Sequence, residues 1–301
     1  MKTALACIPC LVRQAAEVVE LSATDNRQKD RLLRRVLREI ADATWDVMPV
    51  SIAQRVQRLV REDTGKTDPY RQLKDRMNRT ALDLLPALTE TVRCHANPRE
   101  GIVRLAIAGN LLDAGSKNRL APEDLPARLD TIWDMPLVGS VADLFRAADD
   151  ARCILYLADN AGEIVFDRLL IETLPTRKIA VAVRGFPVIN DVTLDDAIIA
   201  GIPKIVPVIA NGSDAPGTLV EECSEEFRDL FNRADLIIAK GQGNYETLSD
   251  TIKDVFFLLT VKCPLVATDI GAPMGALVVK RGGVEHKRVD RIPVQKVEQG
   301  N

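Results

Sequence analysis

Short, uninterrupted apolar runs in the second half of the chain constrain the fold more than any other feature of the sequence. They lie at 153–158, 179–183, 204–208, 236–239, 256–261 and 277–279. Each has the length of a strand and shows no alternation with polar residues, as expected for strands buried on both faces of a parallel sheet. The segments between them have helical spacing and supply the crossovers that parallel strands require. The pattern predicts a three-layer α/β/α domain with a mainly parallel, doubly wound sheet.

The first half of the chain has a different pattern. From Cys7 to about Leu120, apolar residues recur at helical spacing with few β-branched runs. Helix-capping residues precede prolines at Asp68-Pro69 and Asn97-Pro98. These features predict an all-helical module of four to six helices. Because the loop at 121–136 is rich in proline, we expect a helical domain at 1–135 and an α/β domain at 136–301.

Composition narrows the classes of function. Forty Lys and Arg residues against forty-three Asp and Glu give a net charge of −3, and aromatic residues make up 4%. No basic stripe with interleaved aromatics is present, so the sequence predicts no nucleic-acid partner. No apolar stretch has the length of about 18 residues that a membrane span needs, and the apolar N-terminal run ends at Pro9. We therefore expect no membrane association and no cleaved signal. Six irregularly spaced cysteines fit a reducing, cytoplasmic compartment.

Polar residues and glycines follow four of the predicted strands. The segments are 159–163, 184–193, 240–246 and 262–263. In open parallel sheets, ligands bind beyond the carboxyl ends of the strands, so these segments should share one edge of the sheet. Asp and Asn oxygens are hard ligands suited to Mg²⁺ or Mn²⁺. Gly241 and Gly243 allow backbone N–H groups to approach an anion, and Lys240 adds a positive charge.

Each residue also has a structural interpretation when it is taken singly. An Asp or Asn at a strand end often caps a helix, and Glu163 is favoured in a first helical turn by the helix dipole. Thr193 with Asp196 matches a capping box. The pair Gly241 and Gly243 lacks the remaining glycine of a dinucleotide fingerprint, which disfavours an NAD-dependent oxidoreductase.

Taken together, these strings resemble the damage-control phosphatase family, also known as domain of unknown function 89. The resemblance rests on the motifs at 159–163, 184–193 and 240–246, supported by Lys262-Cys263, and spans about 7–280. In the helical half, the matching strings are Asp68-Pro69-Tyr70 with Lys74 and Asn78, and Gly109-Asn110 with Asp113. Cys7-Ile8-Pro9-Cys10 is similar to the prokaryotic branch of the family.

The resemblance implies a divalent metal (Mn, Mg, Co or Ni) held by Asp159, Asn160 and Asp191. It also implies hydrolysis of small phosphorylated metabolites, such as sugar phosphates or damaged phosphometabolites, with the helical domain closing the pocket. Catalytic roles fall to Asp159, Asp191 and Lys240, with Lys240 near the phosphate. Candidate substrate-binding residues are Asn110, Asp113, Glu163, Arg184, Asn190, Gly241, Gly243 and Asn244. From spacing alone, Asn110 and Asp113 fit a solvent-facing helix edge equally well.

Two mechanisms and one other function are compatible with these residues. In the first mechanism, the metal binds a phosphate oxygen and activates the attacking water. In the second, Asp159 forms an aspartyl-phosphate, but the residue two positions later is Ala161 and not an acid/base Asp. We therefore favour attack by water. The alternative function is a non-hydrolytic phosphometabolite-binding protein.

The cysteines and histidines suggest one further hypothesis. Cys7 and Cys10 would form half of a zinc site if Cys94 and His95 completed it, with helix packing as the alternative. His286 lies in a polar tail and is expected at the surface. Oligomerisation through the helical half is compatible with catalysis.

Overall fold

The computed structural model describes residues 1–109, 129 and 131–283. Five helices form its first part: α1 (Ile8–Ser22), α2 (Asn26–Asp42), α3 (Pro49–Thr64), α4 (Arg71–Cys94) and α5 (Pro98–Ala108). Asp25 caps α2 and Asn97 caps α5, each accepting a backbone N–H from the first turn. α3 begins at Pro49, a residue preorganised for the first helical position. Of the helices described here, none is both long and apolar enough to cross a membrane.

Seven strands form a single sheet in the second part: β1 (Leu137–Gly139), β2 (Ile154–Leu157), β3 (Ile179–Val183), β4 (Val208–Ala210), β5 (Leu236–Lys240), β6 (Val255–Thr260) and β7 (Leu277–Gly282). Their spatial order is β1-β7-β6-β5-β2-β3-β4, and every neighbouring pair is parallel except β6–β7. The helices between them are α6 (Val141–Asp150), α7 (Glu163–Thr173), α8 (Leu194–Ile199), α9 (Glu225–Arg233), α10 (Gly241–Leu248) and α11 (Pro264–Ile270). The predicted fold class is confirmed.

Two edge strands differ from the sequence-based prediction. The strand expected at 204–208 begins only at Val208, because Pro203 lies in a 3-10 turn and Pro207 has no N–H for the sheet. β1 was not predicted, since its three residues are too few and too exposed to give an apolar run. Both strands lie at the edges of the sheet, where burial leaves the weakest pattern in the sequence.

Three hydrophobic cores hold these elements together. One face of the sheet packs against α4, α5, α6 and α7, and the other against α9, α10 and α11. A third core joins α1, α2 and α3 with Tyr70 and with Val188 and Ile189 from the loop after β3. α4 and α5 therefore share a core with the sheet, and the domain boundary at 135/136 stays a prediction.

The strand order reverses between β2 and β5, because β2 leads outward to β3 while β5 leads outward to β6. A crevice beyond the carboxyl ends of strands at such a point is the usual ligand site of an open α/β sheet. Here α1 and α3 border the crevice from the opposite side. The resulting cleft, of about 440 Å³, lies between the helical part and the sheet.

Candidate metal and phosphate site

The loops after β2 and β3 are joined by backbone hydrogen bonds at the floor of the cleft. Asn160 and Asp191 pair in an isolated antiparallel β-bridge. Val192 N donates to Asp159 O at 2.9 Å, and Ala161 N donates to Asn190 O at 2.9 Å. The main chain therefore brings together Asp159, Asn160 and Asp191, although the first two lie in one motif of the sequence and the third in another.

These three side chains fit a divalent cation by the chemistry of their oxygens. All three are at most 8% exposed and line the cleft. Two carboxylates and a carboxamide suit a hard cation that retains water ligands. No three His, Cys, Asp or Glu side chains within the described ranges are grouped to hold a metal. A cation at this site would therefore depend on Asn160 as its third protein ligand.

Arg184 is buried beside these three side chains and is held by hydrogen bonds to its neighbours. Its Nε donates to Asp191 Oδ2 at 2.6 Å, and one terminal nitrogen lies 3.9 Å from Asp159 Oδ1. The other contacts of its guanidinium are to Thr218 Oγ1 and Asn244 Oδ1. The positive charge of Arg184 therefore fixes the Asp191 carboxylate and offsets part of the negative charge of the site.

Asn244 is hydrogen-bonded behind the site to Arg184 and to two neighbouring segments. Its Nδ2 donates to Lys240 O at 2.8 Å, and its Oδ1 accepts from Thr218 Oγ1 at 2.8 Å. The side chain is completely buried and is engaged by the protein on both sides. The structure thus gives Asn244 a role in holding Arg184, and its predicted role as a substrate ligand stays a prediction.

Asn190 presents a buried donor to the cleft. It is 1% exposed and lines the cleft beside Asp191, yet its Nδ2 has no hydrogen-bond partner among the described residues. The preceding Ile189 has a φ of 45°, which is strained for a β-branched residue. A buried donor without an acceptor is costly, and an oxygen atom of a bound ligand would satisfy it.

The first turn of α10 packs directly against Asp159. Gly241 has a φ of 77°, and a Cβ at this position would overlap the Asp159 carboxylate. Glycine is therefore required here for close approach as well as for backbone conformation. The next residues, Gln242 and Gly243, line the cleft, so the positive end of the helix faces the predicted ligands. A Cβ on Gly243 would instead meet Pro216 O, so this glycine also serves loop packing.

Lys240 does not face the cleft, which corrects its predicted position beside a phosphate. Its ammonium is completely buried and donates to Glu163 Oε1 at 2.5 Å, Asp167 Oδ1 at 2.5 Å and Ala106 O at 2.8 Å. These acceptors match its three N–H donors. Burial alone would lower the pKa of Lys240, but the charges of Asp167 and Glu163 outweigh burial and raise it.

Asp167 and Tyr156 complete this buried cluster and were not identified from the sequence. Burial raises the pKa of Asp167 to about 7, although the positive charge of Lys240 opposes the shift. Burial and the nearby Asp167 charge raise the pKa of Tyr156 well above its ordinary value. The only available signal was an acidic residue one turn after Glu163 on the buried face of α7.

Asn78 connects the helical part to the turn that follows Asn160, and it was not predicted as a site residue. Its Oδ1 accepts from Gly162 N at 2.6 Å, and its Nδ2 donates to Asp196 Oδ1 at 2.9 Å. Asp196 in turn pairs with Lys74 Nζ at 2.7 Å and forms the predicted capping box with Thr193. Asn78 therefore fixes the turn that follows Asn160.

Several predicted residues lie elsewhere. Asn110, Asp113 and His286 lie outside the described residues. The zinc hypothesis is wrong, since Cys7, Cys10, Cys94 and His95, all within the described ranges, form no metal-binding group there. Cys7 and Cys10 line the cleft. His95 directly follows α4, and the centroid of its ring lies 5.5 Å from that of Trp133.

The chain is similar to known proteins over most of its length. Residues 3–278 match the family described as the damage-control phosphatase ARMT1-like domain. A damage-control phosphatase of Archaeoglobus fulgidus is 34% identical over 287 residues, which cover 93% of this chain and 99% of that protein. An uncharacterized protein of Methanocaldococcus jannaschii is 36% identical over 288 residues, covering 89% of this chain and 92% of that protein.

A solved structure of the same family is also similar to this chain. The crystal structure of a DUF89 family protein from Pyrococcus horikoshii matches with a TM-score of 0.83 at 32% identity, covering 94% of this chain and 99% of that chain. The assignment of the Cys7–Cys10 motif to a prokaryotic branch stays a prediction. The sequence motifs, the fold and the relatives of this chain agree: it belongs to the damage-control phosphatase family.

Proposed function

We propose that this protein is a divalent-metal-dependent phosphatase that hydrolyses phosphate monoesters of small phosphorylated metabolites. The observation that carries the proposal is the convergence of Asp159, Asn160 and Asp191 with the first turn of α10 in one cleft. The names of its relatives support phosphatase activity. The cofactor we propose is Mn²⁺, Mg²⁺, Co²⁺ or Ni²⁺, because the donor set consists of oxygens.

Phosphoryl transfer depends on positioning and on neutralising charge that is spread over the phosphate oxygens. A bound divalent cation would neutralise a phosphate oxygen and lower the pKa of the attacking water. Arg184 holds Asp191 in place, and Asn190 offers its amide donor to a ligand oxygen. The backbone N–H groups at the start of α10 favour an anion in the same place. Leu11 and Val50 contribute apolar side chains to the lining of the same cleft.

We propose direct attack by water and not a phosphorylated Asp159. Asp159 Oδ2 accepts from Asn160 Nδ2 at 2.7 Å, an arrangement suited to a metal ligand. The residue two positions later, Ala161, is buried and has no group that could transfer a proton. Rapid-quench single-turnover experiments followed by mass spectrometry test this mechanism, and detection of a phosphorylated Asp159 would overturn it.

We also propose that the enzyme acts in the cytoplasm on compounds such as sugar phosphates or damaged phosphometabolites. All six cysteines are free thiols, which fits a reducing compartment. The cleft has room for a small metabolite next to the proposed metal ligands.

The test is phosphate release from a panel of small phosphomonoesters by metal-stripped protein supplied with each of the four metals. Asp159→Ala and Asp191→Ala are expected to lose metal-dependent activity. Asp195→Ala removes an exposed carboxylate that does not line the cleft and serves as the matched control. Metal binding without phosphate release from any substrate would favour the non-hydrolytic binding protein.

A further inference from the structure

The carboxamide of Asn160 can be placed in two orientations of almost identical shape. Only one of them turns its oxygen to a cation, whereas the other presents the NH₂ group, which cannot coordinate a metal. Because the two orientations have the same shape, packing cannot distinguish them. Its hydrogen-bond partners must therefore decide the orientation.

The partners of Asn160 favour one orientation strongly. Its Nδ2 donates to Asp159 Oδ2 at 2.7 Å and to Glu163 Oε2 at 3.1 Å. Both amide hydrogens therefore point to carboxylate oxygens. The reversed amide would place Oδ1 against the same two negatively charged oxygens, in a buried environment where electrostatic repulsion is strong.

Glu163 is itself fixed on its other side. Lys240 Nζ donates to Glu163 Oε1 at 2.5 Å, and both side chains are completely buried. The backbone of Gly109 also packs closely on Glu163, since a Cβ at position 109 would lie 2.9 Å from the Glu163 Cα. Glu163 is thus an acceptor held rigidly between a cation and the Asn160 amide.

We propose that Glu163, anchored by Lys240, is a positioning residue that turns the Asn160 carboxamide oxygen toward the metal. The inference rests on the proposed metal site, but it gives Glu163 and Lys240 roles different from the substrate contacts expected of them. Partners of metal ligands commonly tune affinity by fixing ligand orientation in this way.

The test is the affinity of the metal-stripped full-length protein for Mn²⁺, measured by isothermal titration calorimetry. In Glu163→Gln, the new amide oxygen faces Lys240 and its NH₂ group faces Asn160, so Asn160 must turn its oxygen away from the metal. We expect Mn²⁺ binding weaker by about 10-fold to 100-fold. Glu163→Asp keeps the charge next to Lys240 but draws the carboxylate back from Asn160, and should weaken binding in the same direction.

A control variant in the same buried cluster separates positioning from general damage. Asp167→Asn is the matched control, because Asp167 contacts Lys240 at the same distance and is equally buried. It should leave Mn²⁺ affinity unchanged.

Each outcome decides between the two proposals. Glu163→Gln and Glu163→Asp proteins that bind Mn²⁺ as the wild type does would overturn the positioning role and leave the proposed function intact. Equally weak binding in Asp167→Asn would also overturn it, because the loss would then come from general damage to the buried cluster. If the wild type binds none of Mn²⁺, Mg²⁺, Co²⁺ and Ni²⁺, the proposed function fails and the inference fails with it.

Discussion

Replacing Asn78 with alanine should lower the free energy of unfolding by about 2–4 kcal/mol, because two buried groups lose a partner. The first is Gly162 N, which donates to Asn78 Oδ1 at 2.6 Å. Left without an acceptor, this N–H should cost about 1–3 kcal/mol. The second is Asp196, which keeps Lys74 and Thr193 as partners, so its loss should be close to about 1 kcal/mol, the order of one net hydrogen bond.

Urea unfolding followed by circular dichroism measures this change as a lower midpoint with an unchanged slope. Arg79→Ala is the matched control, because Arg79 is the next residue of α4 and is exposed. It should alter stability by no more than about 0.5 kcal/mol. If the two variants unfolded at the same urea concentration, the contacts of Asn78 with Gly162 and Asp196 would not stabilise the fold as inferred.

Three further predictions concern the buried cluster and the start of α10. Gly241→Ala should weaken Mn²⁺ binding in calorimetry, because the added Cβ displaces the Asp159 carboxylate. Gly271→Ala is the control, since Gly271 has the same φ of 77° but open space around it. Equal Mn²⁺ affinities in the two variants would refute this reasoning. Because the folded pKa of Asp167 is raised to about 7, native protein holds a proton that the unfolded chain releases near its ordinary value. The free energy of unfolding of the wild type relative to Asp167→Asn should therefore be highest below about pH 4 and fall as pH rises toward 7, by at most about 1.4 kcal/mol per pH unit. Parallel pH profiles of the two proteins in urea unfolding would contradict the raised pKa of Asp167. Lys240→Met should lower the free energy of unfolding in urea by about 3–5 kcal/mol, since it leaves two carboxyl groups buried without their cation. A decrease below about 1 kcal/mol would show that the charge of Lys240 does not stabilise the cluster.

The helices, the central strands and the family of this protein could be predicted from local sequence. The run 179–183 coincides with β3, and the predicted caps at Asn97 and Thr193 are confirmed. Such features depend on residues within a few positions of one another, because strand burial, helix capping and proline geometry act locally. The edge strands β1 and β4 escaped prediction or were misplaced because their weaker burial leaves little pattern.

The direction in which Lys240 points shows what the sequence left open. Its period-two alternation places it on the same side of β5 as Leu236 and Ile238, but only the assembled sheet shows that this side faces α5 and α7 and not the cleft. In the same way, Asn78 reaches Gly162 across 84 positions of the chain.

The sequence by itself determined which residues end the central strands, and therefore which could meet at the edge of a parallel sheet. Only the tertiary structure decided which side chains face the cleft and which pair behind it. The physical reason is that burial and ion pairing depend on contacts between distant segments. No local pattern encodes the partner that a charged or amide group will meet.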